Sequence, residues 1–177
     1  MNRIPKLLRG FTLVQILIIS ALIGVLAIAI VVIFDPIDQI ERANDNKRKS
    51  DLALIQKALQ QYYNDFGKFP PNPGNCLEDF SQCKVVRLDG KTVEWGESFA
   101  PFMKILPKDP SKNKTYIYYV KTDRQSYYMY ANLDRRKDEK ACNKGETCLS
   151  IGYNGFKNDK ACGEICNYGV SSRNVSP

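Results

Sequence analysis

Histidine is absent from the chain. Without an imidazole neither a Ser-His nor a Cys-His nucleophilic pair can form, and a zinc site of two cysteines and two histidines is excluded. The six cysteines are spaced C-x6-C, C-x5-C and C-x3-C, so the C-x2-C pair usual in all-cysteine zinc sites is missing as well. No Gly-rich phosphate loop stands between a strand and a helix. These absences leave no basis for assigning a catalytic residue, a cofactor or a metal ligand, and the chain is not expected to be an enzyme.

Charge is also missing where it would matter most. From Phe11 to Phe34, "FTLVQILIISALIGVLAIAIVVIF", there are 24 residues with no charged side chain. As a helix this run is about 36 Å long, enough to cross a bilayer core of about 30 Å. Arg3, Lys6 and Arg9 precede it, while Asp35, Asp38 and Glu41 follow. The positive-inside rule then leaves the N-terminus in the cytoplasm and the rest of the chain outside. Of the formal charge of +7, the three leader cations account for 3, so the remainder is only +4. The one dense basic run, "KRK" at 47–49, is diluted by Asp45 and Asp51 and reads as a solvated helix face, so specific nucleic-acid binding is not expected.

All six cysteines, Cys76, Cys83, Cys142, Cys148, Cys162 and Cys166, lie beyond the apolar run, in the part placed outside. An even count there points to disulfides. Six cysteines allow 15 pairings. Sequence neighbours are the expected partners, with a nested arrangement of Cys142 with Cys166 and Cys148 with Cys162 as the alternative.

Three interpretations compete for the N-terminal segment. A cleaved secretory signal needs a shorter apolar stretch and a polar change after a site such as Ala27-Ile28-Ala29, yet the run continues to Phe34. An uncleaved signal anchor is the second. The third rests on "RGFTLVQILIISALIGVLA", which resembles the class III leader and mature start of type IV pilins and type II secretion pseudopilins. That resemblance implies cleavage between Gly10 and Phe11 by a prepilin peptidase, methylation of Phe11, and an assembly ATPase and platform protein in the membrane. It also implies Glu at the fifth mature position, where this chain has Gln15. The amide is cheaper to bury than a carboxylate, and its carbonyl can still accept a charge-assisted hydrogen bond from a neighbouring subunit's terminal amine. Bonding within its own helix is the plainer role.

Pro36 is expected to kink or break the helix near Phe34 to Ile37. Beyond it Ile40, Ala43, Leu52, Ile55, Leu59, Tyr62 and Phe66 recur mostly at three and four, predicting an amphipathic helix ended by Gly67 and Pro70-Pro71. Its polar stretch from Asn44 to Ser50 is expected to stand exposed. "KVVRLDGKTVEW" predicts a hairpin turning at Asp89-Gly90 with Val86, Leu88, Val93 and Trp95 on one side. "ESFAPFMKIL" is expected to be a short helix. Strands are predicted near 115–120 and 126–133 around the turn "KTDRQ", with tyrosines pairing across them. The tail beyond yields no regular element. The "PKDP" turn followed by a Tyr-rich hairpin also resembles the sheet region of pseudopilins and small pilins.

The expected organisation is a leader at 1–10, a membrane and filament-core helix at 11–36, an amphipathic half at 37–67 and a disulfide-containing head at 68–177. The fold class is α+β, pilin-like, with the long helix packed on a small antiparallel sheet. The expected function is that of a major or minor subunit of a pilus-like or pseudopilus filament, assembled with copies of itself and related pilins. It would sit once through the cytoplasmic membrane and then in a periplasmic or extracellular filament. The alternative is an uncleaved, membrane-anchored binding or adhesion domain. Resemblance to some major pseudopilins would imply a bound calcium near Asp134, Asp138, Glu139, Glu146 and Asp159, but their spacing is not diagnostic and they read as solvated surface acids.

Overall fold

The computed structural model describes residues 10–76, 78–145, 148 and 161–173. It divides between Ile40 and Glu41 into two units.

The first unit holds helix α1, Leu13–Phe34, and the start of helix α2, Pro36–Phe66. Asp35 separates them in a left-handed conformation with φ 33°. The physical cause is Pro36, whose ring disfavours helical backbone at the preceding residue while suiting the first position of a new helix. The expected break is therefore a full stop between two helices at a single residue.

In the second unit α2 buries Leu52, Ile55, Ala58, Leu59 and Tyr62. Each fully buried aliphatic side chain contributes roughly 1.5 to 3 kcal/mol by leaving water. The helix ends where Gly67 turns left-handed at φ 66° and donates its amide to the Tyr63 carbonyl at 2.7 Å. Three expectations for the apolar face do not hold. Ile40 and Ala43 are exposed, and Phe66 remains 48 % exposed although it touches the Tyr62 and Phe102 rings.

Strands β1, Val85–Val86, and β2, Thr92–Val93, form the expected hairpin, with Gly90 at φ 80° in its turn. Leu88 is 53 % exposed instead of facing inward, because the loop begins at Arg87, whose amide bonds Lys91 across the turn. The segment 97–106 is a compact turn with Phe99 and Met103 exchanging backbone hydrogen bonds, not a helix. Pro101 lies in its middle and has no amide hydrogen to continue a helical ladder.

The main sheet is antiparallel in the order β3, Ile117–Val120, then β4, Tyr127–Ala131, then β5, Tyr168–Ser171. Tyr119 registers against Tyr128 and stacks on it with ring centroids 6.2 Å apart. One face packs Tyr118, Val120, Tyr127, Met129 and Ala131 with the apolar side of α2. The other face, carrying Ile117, Tyr128 and Tyr130, is covered by the cysteine-bearing loops. Every residue of β4 is consequently buried. The outer edge of β3 is sealed by Asn72, whose Oδ1 accepts the Val120 amide at 3.0 Å while Nδ2 donates to the carbonyls of Tyr118 and Lys84 at 2.8 and 2.9 Å.

Candidate functional site

Two features carry the chemistry of this chain, one in each unit. In the first unit Thr12 caps α1. Its hydroxyl accepts the Gln15 amide at 3.3 Å, and Gln15 Oε1 accepts the Thr12 amide at 2.9 Å. Together they form a capping box that satisfies two otherwise orphaned donors. Gln15 thus bonds its own helix in this structure. Gly10 and Phe11 precede the cap, both exposed, so the bond between them lies outside the helix. Residues 1–9 of the expected leader lie outside the described residues.

Every residue from Phe11 to Ile30 is exposed, and Leu13–Ile30 has a mean hydropathy of 2.8. By length and composition α1 can cross a membrane. Its small residues Ser20, Ala21, Gly24, Ala27 and Ala29 are all solvent-facing, and nothing stands within 4 Å of where a Cβ on Gly24 would be. The Ser20 hydroxyl donates to the Leu17 carbonyl at 2.9 Å, so this polar group needs no water.

In the second unit the polar stretch of α2 is exposed only in part: Asn46, Lys47 and Ser50 face outward, but Asp45 and Arg48 are buried. Arg48, the middle of "KRK", has 0 % of its surface accessible. All five guanidinium N–H donors are used: Nε and Nη2 bond Asp109 at 2.9 and 3.1 Å, Nη2 also bonds Ser111 Oγ at 2.9 Å, and Nη1 bonds Asp45 and Asp134, each at 2.8 Å. Burial by itself would lower the Arg48 pKa, but Asp109 and Asp134 more than offset it and raise the pKa. Asp45 is satisfied further by the backbone amides of Asp134 and Arg135 at 2.8 and 3.0 Å. One helix residue therefore ties α2 to the "PKDP" turn and to the chain just after β4.

The surrounding acids are equally committed. Asp134 also pairs with the Lys114 ammonium, which in turn bonds Asn132, and Lys49 pairs with Asp138 at 2.5 Å. Burial would raise the Asp134 and Asp138 pKa values, yet Lys114 and Arg48 hold the first, and Lys49 the second, below the usual carboxylate range. Neither is the solvated surface acid expected from sequence. Among the described residues no group of three or more His, Cys, Asp or Glu side chains could hold a metal ion, and Glu146 and Asp159 lie outside those residues. Next to the cluster Asp51 accepts the Tyr116 hydroxyl at 2.8 Å, and burial raises its pKa.

Three disulfides join sequence neighbours, Cys76 to Cys83, Cys142 to Cys148 and Cys162 to Cys166. All three belong to the layer on the outer face of the sheet. The last loop is held just ahead of β3 by the Thr115 amide, which donates to the Cys162 carbonyl at 3.1 Å. Gly163, at φ 87°, has no room for a Cβ, which would collide with the Asn113 carbonyl.

Sequence reasoning missed the Arg48 cluster. Its only trace was an Asp three residues before an Arg, spaced for a helical pair, and nothing local marks Asp109 or Asp134 as the remaining partners. The third strand, β5, was missed because four residues containing a glycine give too short a pattern.

No curated protein and no solved structure matches the chain. A family model described as type II secretion system (T2SS), protein G, matches residues 36–145, well over half of the chain. The match takes in all of α2, the hairpin, the "PKDP" turn, β3, β4 and the partners of Arg48, and it begins after α1. The chain belongs to the type II secretion system protein G family, a pseudopilin family.

Proposed function

We propose that this pseudopilin is cut between Gly10 and Phe11 by a prepilin peptidase and that the freed subunit enters a filament through α1, alongside copies of itself and related pseudopilins. One observation carries the proposal: α1 is apolar on all sides and every described side chain of it is exposed. A helix that is apolar all round is stable only in lipid or among similar helices. Leaving the membrane without exposing that surface to water requires neighbours of the same kind. Each subunit would offer one side and receive on another, and such heterologous contacts extend into an open helix when they do not close.

Two further features support the cut. The Gly10–Phe11 bond lies ahead of the Thr12 cap, where a peptidase can reach it without unwinding helix. Cleavage there also keeps the capping box whole, so the mature chain starts one residue before its own N-cap. Intact mass and N-terminal sequencing of the protein extracted from membranes test the proposal. The expected product begins at a methylated Phe11 and has three disulfides. A product that still begins at Met1 in cells with an active prepilin peptidase would overturn it and leave a membrane-anchored binding domain.

A further inference from the structure

A cleft of about 300 Å³ opens between the loop after α2 and the turn joining β3 to β4. Its lining combines the buried Val120 and Cys76 and the half-buried Tyr119 with the polar residues Asn72, Asn75 and Thr122. Lys121 and Arg124 stand on its rim at the two ends of one tight turn, since the Arg124 amide donates to the Lys121 carbonyl at 2.8 Å. No carboxylate pairs with either cation among the described residues. The nearest acid in sequence, Asp123, is turned back on its own loop, where Oδ1 accepts the Gln125 amide at 2.9 Å.

This rim is pre-organised. Arg124 occupies left-handed backbone at φ 57°, a conformation that non-glycine residues seldom hold without support. The support is specific: its carbonyl accepts the Phe69 amide at 2.9 Å and its Nε donates to the Phe69 carbonyl at 2.7 Å. Gln125 continues the attachment, donating to the Gly67 carbonyl at 3.1 Å and accepting the Tyr63 hydroxyl at 2.7 Å. Lys121 Nζ lies 5.8 Å from the centre of the Tyr128 ring.

The chemistry narrows the ligand. Two cations that pair with no carboxylate among the described residues favour an anion, and Val120, Cys76 and Tyr119 offer apolar surface to one carried on a short carbon stem. Strand addition at this edge is blocked, because Asn72 already takes both the Val120 amide and the Tyr118 carbonyl. Recognition must then go through side chains. Two cations in a small concave cleft are too few for a nucleic-acid backbone, which needs an extended basic track. We propose that the cleft binds an acidic side chain presented by a peptide segment of a partner protein, its carboxylate between Lys121 and Arg124 and its stem against Tyr119.

The test uses the full-length, oxidised protein in detergent micelles, isotopically labelled for amide NMR and titrated with acetyl-Gly-Glu-Gly-amide. Saturable shifts centred on Asn72, Cys76 and Lys121 to Arg124 are expected, with acetyl-Gly-Gln-Gly-amide shifting them at least about tenfold more weakly. Lys121→Gln removes a cation that makes no ion pair among the described residues and only a long contact with the Tyr128 ring, so affinity should fall about tenfold with thermal unfolding little changed. Arg124→Gln should weaken binding further. Equal response to the glutamine peptide, no response, or equally tight binding of inorganic phosphate at the same resonances would overturn the assignment.

Discussion

Helix α1 has 22 residues and α2 has 31, yet they meet opposite demands. The first is apolar all round, exposed, and contains no ion pair among its described residues. The second is held in its own unit by a narrow apolar stripe and, one turn earlier, by an arginine with four polar partners. Apolar contact between helices in lipid is non-directional, so α1 can exchange one set of neighbours for another at little cost. A guanidinium fork enclosed by three carboxylates has one geometry. The contrast teaches where adaptability and registration reside: α1 has no directional contact to hold it to one set of neighbours, and in the second unit the head is fixed in one relation to the part of α2 beyond Ile40.

The sharpest way to break this contrast is to empty the ionic centre. Arg48→Ala leaves Asp45 and Asp109 buried without their cation, and Asp134 with Lys114 only, and is expected to cost about 3 to 5 kcal/mol in head stability. Denaturant unfolding followed by fluorescence of Trp95 measures it, since this single tryptophan packs edge-on to Tyr116 with ring centroids 5.6 Å apart. Placing a charge in the anchor is the mirror-image change. Ile23→Asp should cost roughly 2.5 to 3.5 kcal/mol of membrane insertion and abolish assembly while leaving the Trp95 unfolding midpoint unmoved. Membrane fractionation and filament shearing separate those outcomes.

The disulfide layer comes next in size. Replacing Cys162 and Cys166 together by Ser opens a short loop and should lose about 2 kcal/mol on chain-entropy grounds, read by the same fluorescence curve.

Protonation gives the smaller effects. The folded-state pKa of Asp134 is depressed, so its stabilising contribution is present above the unfolded value near 4 and is lost as pH falls through the folded one. Unfolding midpoints should therefore drop in acid below about pH 4, and Asp134→Asn should flatten that limb while lowering stability at neutral pH. Asp51 runs the other way. Its raised pKa gives a contribution present below the unfolded value and lost as pH rises through the folded one, so Asp51→Asn should remove that slope and slightly raise the midpoint at pH 7. A variant with an unchanged slope would show that the Tyr116 hydroxyl leaves Asp51 no net cost.

Legibility from sequence followed the range of the interaction involved. The stop at Pro36, the cap at Gly67 and the turn at Asp89-Gly90 depend on backbone preferences of one or two residues, and they stand where they were expected. The largest error arose where a local pattern met a distant neighbour, and two smaller ones inside the segment concerned. "KRK" reads as solvated by every local rule, but Arg48 meets Asp109 and Asp134, 61 and 86 residues away. The segment 97–106 has helical periodicity that Pro101 defeats from within. Leu88 alternates correctly with Val86 but falls in the loop.

By itself the sequence determined an anchor long and apolar enough for a bilayer, its placement between cations and acids, and a head with six cysteines and Tyr-rich strands. Hydropathy, turn chemistry and cysteine number are properties of short stretches and survive without knowledge of the fold. The expected pairing of neighbouring cysteines holds, but tertiary structure alone decided that the sheet is buried on both faces, that the disulfides cover its outer side, and that four acids are held by Arg48, Lys49 and Lys114. Charge compensation and burial depend on which distant residues are brought together, and no local pattern encodes that juxtaposition.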